Sequence, residues 1–169
     1  TLFNRGRSIR GLFPDLETII GDRDGGLQGL EGRRWDAVVD TCGYVPRVVK
    51  LSAELLAPRV RQYVFISSIS VYADFDQIGL NETSAVATLD DPSREDITGE
   101  TYGALKVLCE KAVTQEVGAD RSTILRPTYV CGPGDHTRWP GSRHAGSGAT
   151  LAIRCSVARS SSDLMGLDR

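Results

Sequence analysis

Glu100-Thr-Tyr-Gly-Ala-Leu-Lys-Val-Leu-Cys-Glu-Lys-Ala-Val113 lies between a long acidic stretch and a short β-branched run, Ser122-Thr-Ile-Leu-Arg126. It reads as a helix. Residues at i and i+4 share a helix face, so Tyr102 and Lys106 can approach one site together. A free tyrosine titrates near ~10 and a neighbouring cation favours the phenolate, so the pair suits proton transfer to or from a substrate hydroxyl near neutral pH. Spacing alone is weak evidence, because Tyr-x-x-x-Lys arises often by chance and two solvent-facing helix residues would read the same.

Outward from this helix, Leu2-Phe-Asn-Arg5, Leu16-Glu-Thr-Ile-Ile-Gly21, Trp35-Asp-Ala-Val-Val-Asp-Thr41 and Gln62-Tyr-Val-Phe-Ile-Ser67 are short β-branched or aromatic runs of the kind that make buried strands. A second helix is predicted from Val45 to Leu56, where Val48, Val49, Ser52, Leu55 and Leu56 fall at helical spacing before Pro58 stops the turn. Strands alternating with helices imply an α/β fold with a parallel sheet, whose ligands bind at the carboxyl ends of the strands. Asp74 to Gly99 is an acidic excursion broken by Gly79 and Pro92, with Asn81-Glu82 near a turn.

With 40% hydrophobic and 25% charged residues in 169, the composition is that of a soluble domain able to bury a core. Twenty-two acids against 20 bases give a formal charge of -2, which supplies no global electrostatic case for nucleic acid or membrane as the main partner. No apolar run approaches the roughly 20 residues of a membrane span, and no signal pattern is seen, so a cytoplasmic location is expected. Cys42, Cys109, Cys131 and Cys155 form no C-x-x-C pair and have no histidine at ligand spacing, which argues for free thiols rather than zinc. His136 and His144 read as exposed imidazoles.

Phe65-Ile-Ser-Ser-Ile-Ser-Val-Tyr72 places three serines and a tyrosine just past the end of a strand, the edge where ligands sit in this architecture. Ser68 can complete a hydroxyl, phenol and ammonium set with Tyr102 and Lys106 around one carbon–oxygen bond. The same serines fit turn chemistry, in which short polar side chains bond the local backbone.

Five motifs in order resemble the short-chain dehydrogenase/reductase superfamily, in its extended or atypical NAD-dependent epimerase/dehydratase branch. They are Gly21-Asp-Arg-Asp24, Asp36-Ala-Val-Val-Asp-Thr-Cys-Gly43, Ile66-Ser-Ser-Ile-Ser-Val-Tyr72, Tyr102-Gly-Ala-Leu-Lys106 and Arg126-Pro-Thr-Tyr-Val-Cys-Gly-Pro-Gly-Asp135. The resemblance covers about residues 1 to 137 and implies a partial NAD(P)-binding, Rossmann-like doubly wound parallel sheet. It assigns Ser68 to polarise the substrate oxygen, Tyr102 to transfer its proton, and Lys106 to lower the phenol pKa and bond the nicotinamide ribose. It places Asp22 and Arg23 at the adenine edge, Thr41, Cys42 and Gly43 in the loop beside the cofactor, and Pro127 and Thr128 near the nicotinamide. After the run ending in Asn4, Arg5 and Arg7 stand where an acid would select NAD, which favours NADP. The implied partner is a small alcohol or ketone, a nucleotide-sugar among the candidates. Family members often dimerise through the helix carrying the Tyr-Lys pair, where Leu105, Leu108, Cys109 and Ala112 fit either a dimer face or packing on the sheet.

Two departures qualify that expectation. The G-x-x-G-x-x-G turn that brings backbone N–H groups to the pyrophosphate occurs nowhere in the chain, so the family's first strand and its turn are expected to be lacking, strand edges to be left open, and dinucleotide binding to be weak. From His136 onward the sequence turns rich in Arg, Ser and Gly, so 138–169 is expected to be a divergent, poorly ordered tail, read as the product of a frame shift or as a genuine divergent end. The chain is thus expected to be a fragment, inactive by itself, of an NAD(P)-dependent enzyme. The competing class is a non-catalytic, cofactor-sensing or RNA-binding member of the atypical branch.

Overall fold

Each β-branched run becomes a strand and each predicted helix forms, with boundaries moved by up to four residues. In the computed structural model, which describes residues 1–7, 13–128 and the backbone of 155–158, the elements run β1 (Leu2–Asn4), β2 (Thr18–Ile20), β3 (Trp35–Asp40), α1 (Pro46–Leu56), β4 (Val60–Ile66), α2 (Tyr102–Val117), β5 (Ser122–Pro127) and β6 (Cys155–Ala158). The molecule is mixed α/β. Strands β3, β4 and β5 are parallel neighbours, with Val39 opposite Val64 and Phe65 opposite Ile124.

Helix α1 starts at Pro46, whose fixed φ and missing N–H suit a first turn. It buries Val49, Ser52, Ala53 and Leu56 on one face. Helix α2 ends where Gly118 takes φ of 96° and donates its N–H to Thr114 O, a conformation that favours glycine. α2 is buried on several sides, because it packs on α1 and also meets β4, β5 and the turn after β4. Leu105, Cys109 and Ala112 are buried within the chain and Leu108 is partly buried.

The core lies between these helices and one face of the sheet, where Val49, Ala53 and Leu56 meet Tyr63, Phe65, Cys109, Val113 and Ile124. Residues alternate along a strand, so Val38 packs against this core while Val39, 63% exposed, faces away from the helices.

The structure departs from a single parallel sheet in two ways. β1 and β2 form a separate parallel pair, and among the described residues β1 bonds only β2 and β3 only β4. Among the described residues each of these two strands therefore has one edge without a strand partner. The second departure is β6, which lies antiparallel to β5, Leu125 opposite Val157. The composition of 138–169 argues against a strand there, but a neighbouring open edge supplies backbone hydrogen bonds that composition does not report. His136, His144, Cys131 and the remainder of that segment lie outside the described residues.

Candidate active site

Two loops and one helix turn meet at the carboxyl end of β3 and β4. The first is Thr41-Cys-Gly-Tyr44, shaped by Asp40. The Asp40 carboxylate accepts from Arg23 Nη1 at 2.5 Å, Arg23 Nη2 at 2.8 Å, Tyr63 OH at 2.8 Å and the Cys42 N–H at 3.2 Å. Arg23 Nη2 also donates to Ser52 Oγ at 2.6 Å, so one guanidinium joins the segment after β2 to the end of β3 and to α1. Burial, reinforced by Asp40, pushes the Tyr63 phenol far up, and its hydroxyl acts as a fixed donor.

Gly43 is buried, and a Cβ there would lie 2.3 Å from the Phe65 ring and 2.8 Å from Val49. The absence of a side chain thus lets the loop close onto the sheet. Its carbonyl then faces Lys106. Lys106 Nζ donates to Gly43 O at 2.8 Å and to Ile66 O at 2.7 Å, and lies 4.4 Å from the Phe65 ring centroid and 5.6 Å from that of Tyr44. The residue is 2% exposed, and burial pushes its ammonium below the usual lysine range. Carbonyl dipoles and aromatic faces stabilise the cation here in place of a carboxylate.

Tyr102 opens α2 and is half-buried, its ring centroid 6.4 Å from Tyr44 at a 39° tilt. Tyr44 therefore touches both members of the predicted pair. Ser68 lies in the turn after β4, where its Oγ accepts from the Ser70 N–H at 3.1 Å and donates to Ser70 Oγ at 3.1 Å. Turn chemistry thus occupies the Ser68 hydroxyl, and no hydrogen bond joins it to Tyr102 among the described residues. What brings the two segments together is Gly103, where a Cβ would stand 2.0 Å from Ser70 O. Only a glycine allows α2 to start against that turn.

One turn beyond Lys106, Glu110 continues the stripe of Tyr102 and Lys106. Its Oε1 accepts from Ser67 Oγ at 2.5 Å and Arg126 Nε at 3.0 Å, and its Oε2 from Arg126 Nη2 at 2.7 Å. This buried ion pair fastens α2 to the ends of β4 and β5, while the Arg126 guanidinium sits 5.1 Å from the Tyr72 ring. Arg126 Nη1 is buried without a partner among the described residues.

The predicted cofactor residues divide. Gly43, Tyr102 and Lys106 converge, with Thr41 and Cys42 exposed beside them, and Pro127 ends β5 with Thr128 exposed after it. Asn4 instead accepts the Gly6 N–H at 2.7 Å, Asp22 accepts the Asp24 N–H at 3.1 Å, and Arg23 is committed to Asp40. Arg5 is exposed after β1. Lys106 keeps a third N–H beyond its two carbonyl bonds. The described residues offer no glycine-rich helix start of the kind that holds a pyrophosphate. Sequence reasoning missed Tyr44, Glu110 and Arg126. Glu110 could have been found, since a carboxylate at i+8 from Tyr102 on a buried face needs a cation, and Arg126 is the cation inside an apolar strand. Tyr44 carries no such signal.

No family model matches the chain, and no curated protein does. Among the described residues no cluster of His, Cys, Asp and Glu could hold a metal ion, and no helix is long and apolar enough to cross a membrane.

Proposed function

We propose that this chain carries the proton-transfer centre of an NAD(P)-dependent oxidoreductase or epimerase/dehydratase of the short-chain type, built on a Rossmann-like doubly wound sheet and acting on an alcohol or ketone. The observation that carries the reading is the convergence of Lys106 and Tyr102 on Tyr44, beside the Ser68 turn and at the carboxyl edge of the parallel strands. Tyr102 holds or accepts the proton of the substrate oxygen at its phenolic oxygen. Lys106 fixes the electrostatics of that point from beneath, and Ser68, after giving up its bond to Ser70, supplies a second donor. Bound NAD(P) would supply hydride transfer. The exposed Arg5 and Arg7 after β1 support NADP over NAD.

A non-catalytic, cofactor-sensing role is the second reading, favoured by the side chains of Asn4, Asp22 and Arg23 being taken up in local structure. Fluorescence titration with NADPH and NADH separates the cases. The proton-transfer reading expects binding weaker than micromolar, tighter for NADPH and lost in Lys106→Met. Equal affinity in Lys106→Met, or no saturation with either nucleotide, removes its support.

A further inference from the structure

We infer that a cleft at the amino ends of β3 and β4 is an anion site for a small ligand carrying two adjacent phosphoryl groups. It lies at the opposite end of the strands from Lys106, and nothing in it rests on the proton-transfer reading. Residues 34–36 form one wall and 58–61 the other, with about 310 Å³ between them. That is wider than a single phosphate and at the small end of the range for organic ligands.

Pairing in the sheet sets which side chains line it. Trp35 stands opposite Val60 and both pack toward the helices, so Asp36 and Arg61, one residue further on, point to the other face of the sheet. There Arg61 Nη2 donates to Asp36 Oδ1 at 2.5 Å, with the two side chains 82% and 88% exposed. An ion pair this exposed is weak, so a phosphoryl group can take the place of Asp36. Arg34 is exposed and has no carboxylate partner among the described residues, and Arg59 donates Nη1 to Leu55 O at 2.5 Å, a neutral acceptor. Three guanidiniums and one carboxylate thus line the cleft, which leaves two positive charges uncompensated.

The walls are held from behind. Arg121 donates from Nη1 to Ala57 O at 2.9 Å and Val60 O at 3.2 Å and from Nη2 to Val117 O at 2.5 Å, which fixes the second wall and adds a further positive charge. In the first wall Trp35 Nε1 donates to Thr1 Oγ1 at 3.4 Å, and the Arg33 guanidinium, paired with Glu17, lies 5.9 Å from the Trp35 ring. Fixed walls lower the ordering cost of binding. Guanidinium forks match phosphoryl oxygens two at a time, whereas a single phosphate fills neither the volume nor the charge. A nucleic-acid backbone fits less well, because it takes a longer run of cations. This chain has a net charge of -2, and its acidic excursion lies at the far end of the strands, where Glu95 pairs with Arg47 at the start of α1.

Isothermal titration calorimetry of the 169-residue chain with inorganic pyrophosphate, at about 50 mM salt to keep screening modest, tests the inference. The expected result is one saturable site, weakened about tenfold or more in Arg34→Gln and in Arg61→Gln and tightened in Asp36→Asn, which removes the competing carboxylate. Arg94→Gln, which removes an equal charge from the acidic excursion, should leave the affinity unchanged. All four side chains are exposed, so folding is preserved. ADP separates two sources of the same chemistry: binding tighter than pyrophosphate assigns the phosphoryl groups to a nucleotide, and equal or weaker binding assigns them to free pyrophosphate. No saturation below about 10 mM pyrophosphate, equal weakening by Arg94→Gln, sulfate binding as tightly at equal ionic strength, or a short single-stranded RNA binding more tightly through the same arginines overturns the inference.

Discussion

Replacing Gly103 by alanine tests the contact that brings Ser68 and Tyr102 together, because two physical effects of opposite sign compete at that position. In an exposed helix interior, glycine to alanine stabilises by about 0.8–1 kcal/mol, since alanine loses less backbone entropy on folding. Here the new Cβ would stand 2.0 Å from Ser70 O and 3.0 Å from its carbonyl carbon, about 1.4 Å short of the 3.4 Å at which contact becomes ordinary. The obstacle is backbone, and it belongs to a turn held by Ser68 and by the Val71 N–H to Ser68 O bond at 3.3 Å. Overpacking of that kind costs about 1–3 kcal/mol, so a net loss of about 1 kcal/mol is expected. With a urea slope of about 2 kcal/mol per molar, the unfolding midpoint of Gly103→Ala should fall by about half a molar. Urea unfolding followed by far-UV circular dichroism reads this directly. A midpoint that rises would show that α2 is not seated against the turn, and the juxtaposition of Ser68 with Tyr102 would fall with it.

Removing the Glu110 carboxylate as Glu110→Leu should cost about 3–5 kcal/mol, because it leaves the Arg126 guanidinium buried and uncompensated. Adding Arg126→Met to it should recover much of the loss, and a single-variant cost below about 1 kcal/mol would contradict the buried pair. Lys106 makes stability depend on pH: its folded pKa lies below the ordinary lysine value of 10.5, so the unfolded state binds more protons in that window. The cost is fully present below the folded pKa and is relieved as pH rises through it toward 10.5, so the parent should gain on Lys106→Met as pH climbs through that window. A difference that does not vary with pH would count against burial of the charge. Iodoacetamide at pH near ~8 should label exposed Cys42 in the native protein, while Cys109, buried with its thiol pushed up to about 12, should react only after unfolding. Peptide mapping distinguishes the two thiols.

Much of the fold is legible in the chain. The runs at 16–21, 35–41, 62–67 and 122–126 announce strands because each concentrates β-branched or aromatic residues over a strand's length. Val48, Val49, Ser52, Leu55 and Leu56 announce α1 through their period, and the Tyr102, Lys106 spacing places both side chains on one stripe. What sequence reasoning could not supply was partnership. Arg23 reads as a contact at the adenine edge until Asp40 and Ser52 are seen beside it. Gly43 reads as a glycine of the loop beside a cofactor until the Phe65 ring is found where a Cβ would be, and nothing in the sequence hints at the Ser70 carbonyl in that position at Gly103.

The alternation of strands and helices, the helix stripe bearing Tyr102 and Lys106, and the lack of a glycine-rich turn can all be read along the chain, since each depends on periodicity and residue type within a continuous segment. Packing in three dimensions was needed to establish that Lys106 is held by two carbonyls, that Tyr44 touches both members of the pair, that Arg126 balances Glu110, and that the described strands divide into two sheets. Those outcomes join residues distant in the chain, and the energy of each arises only when packing removes water from both partners at once.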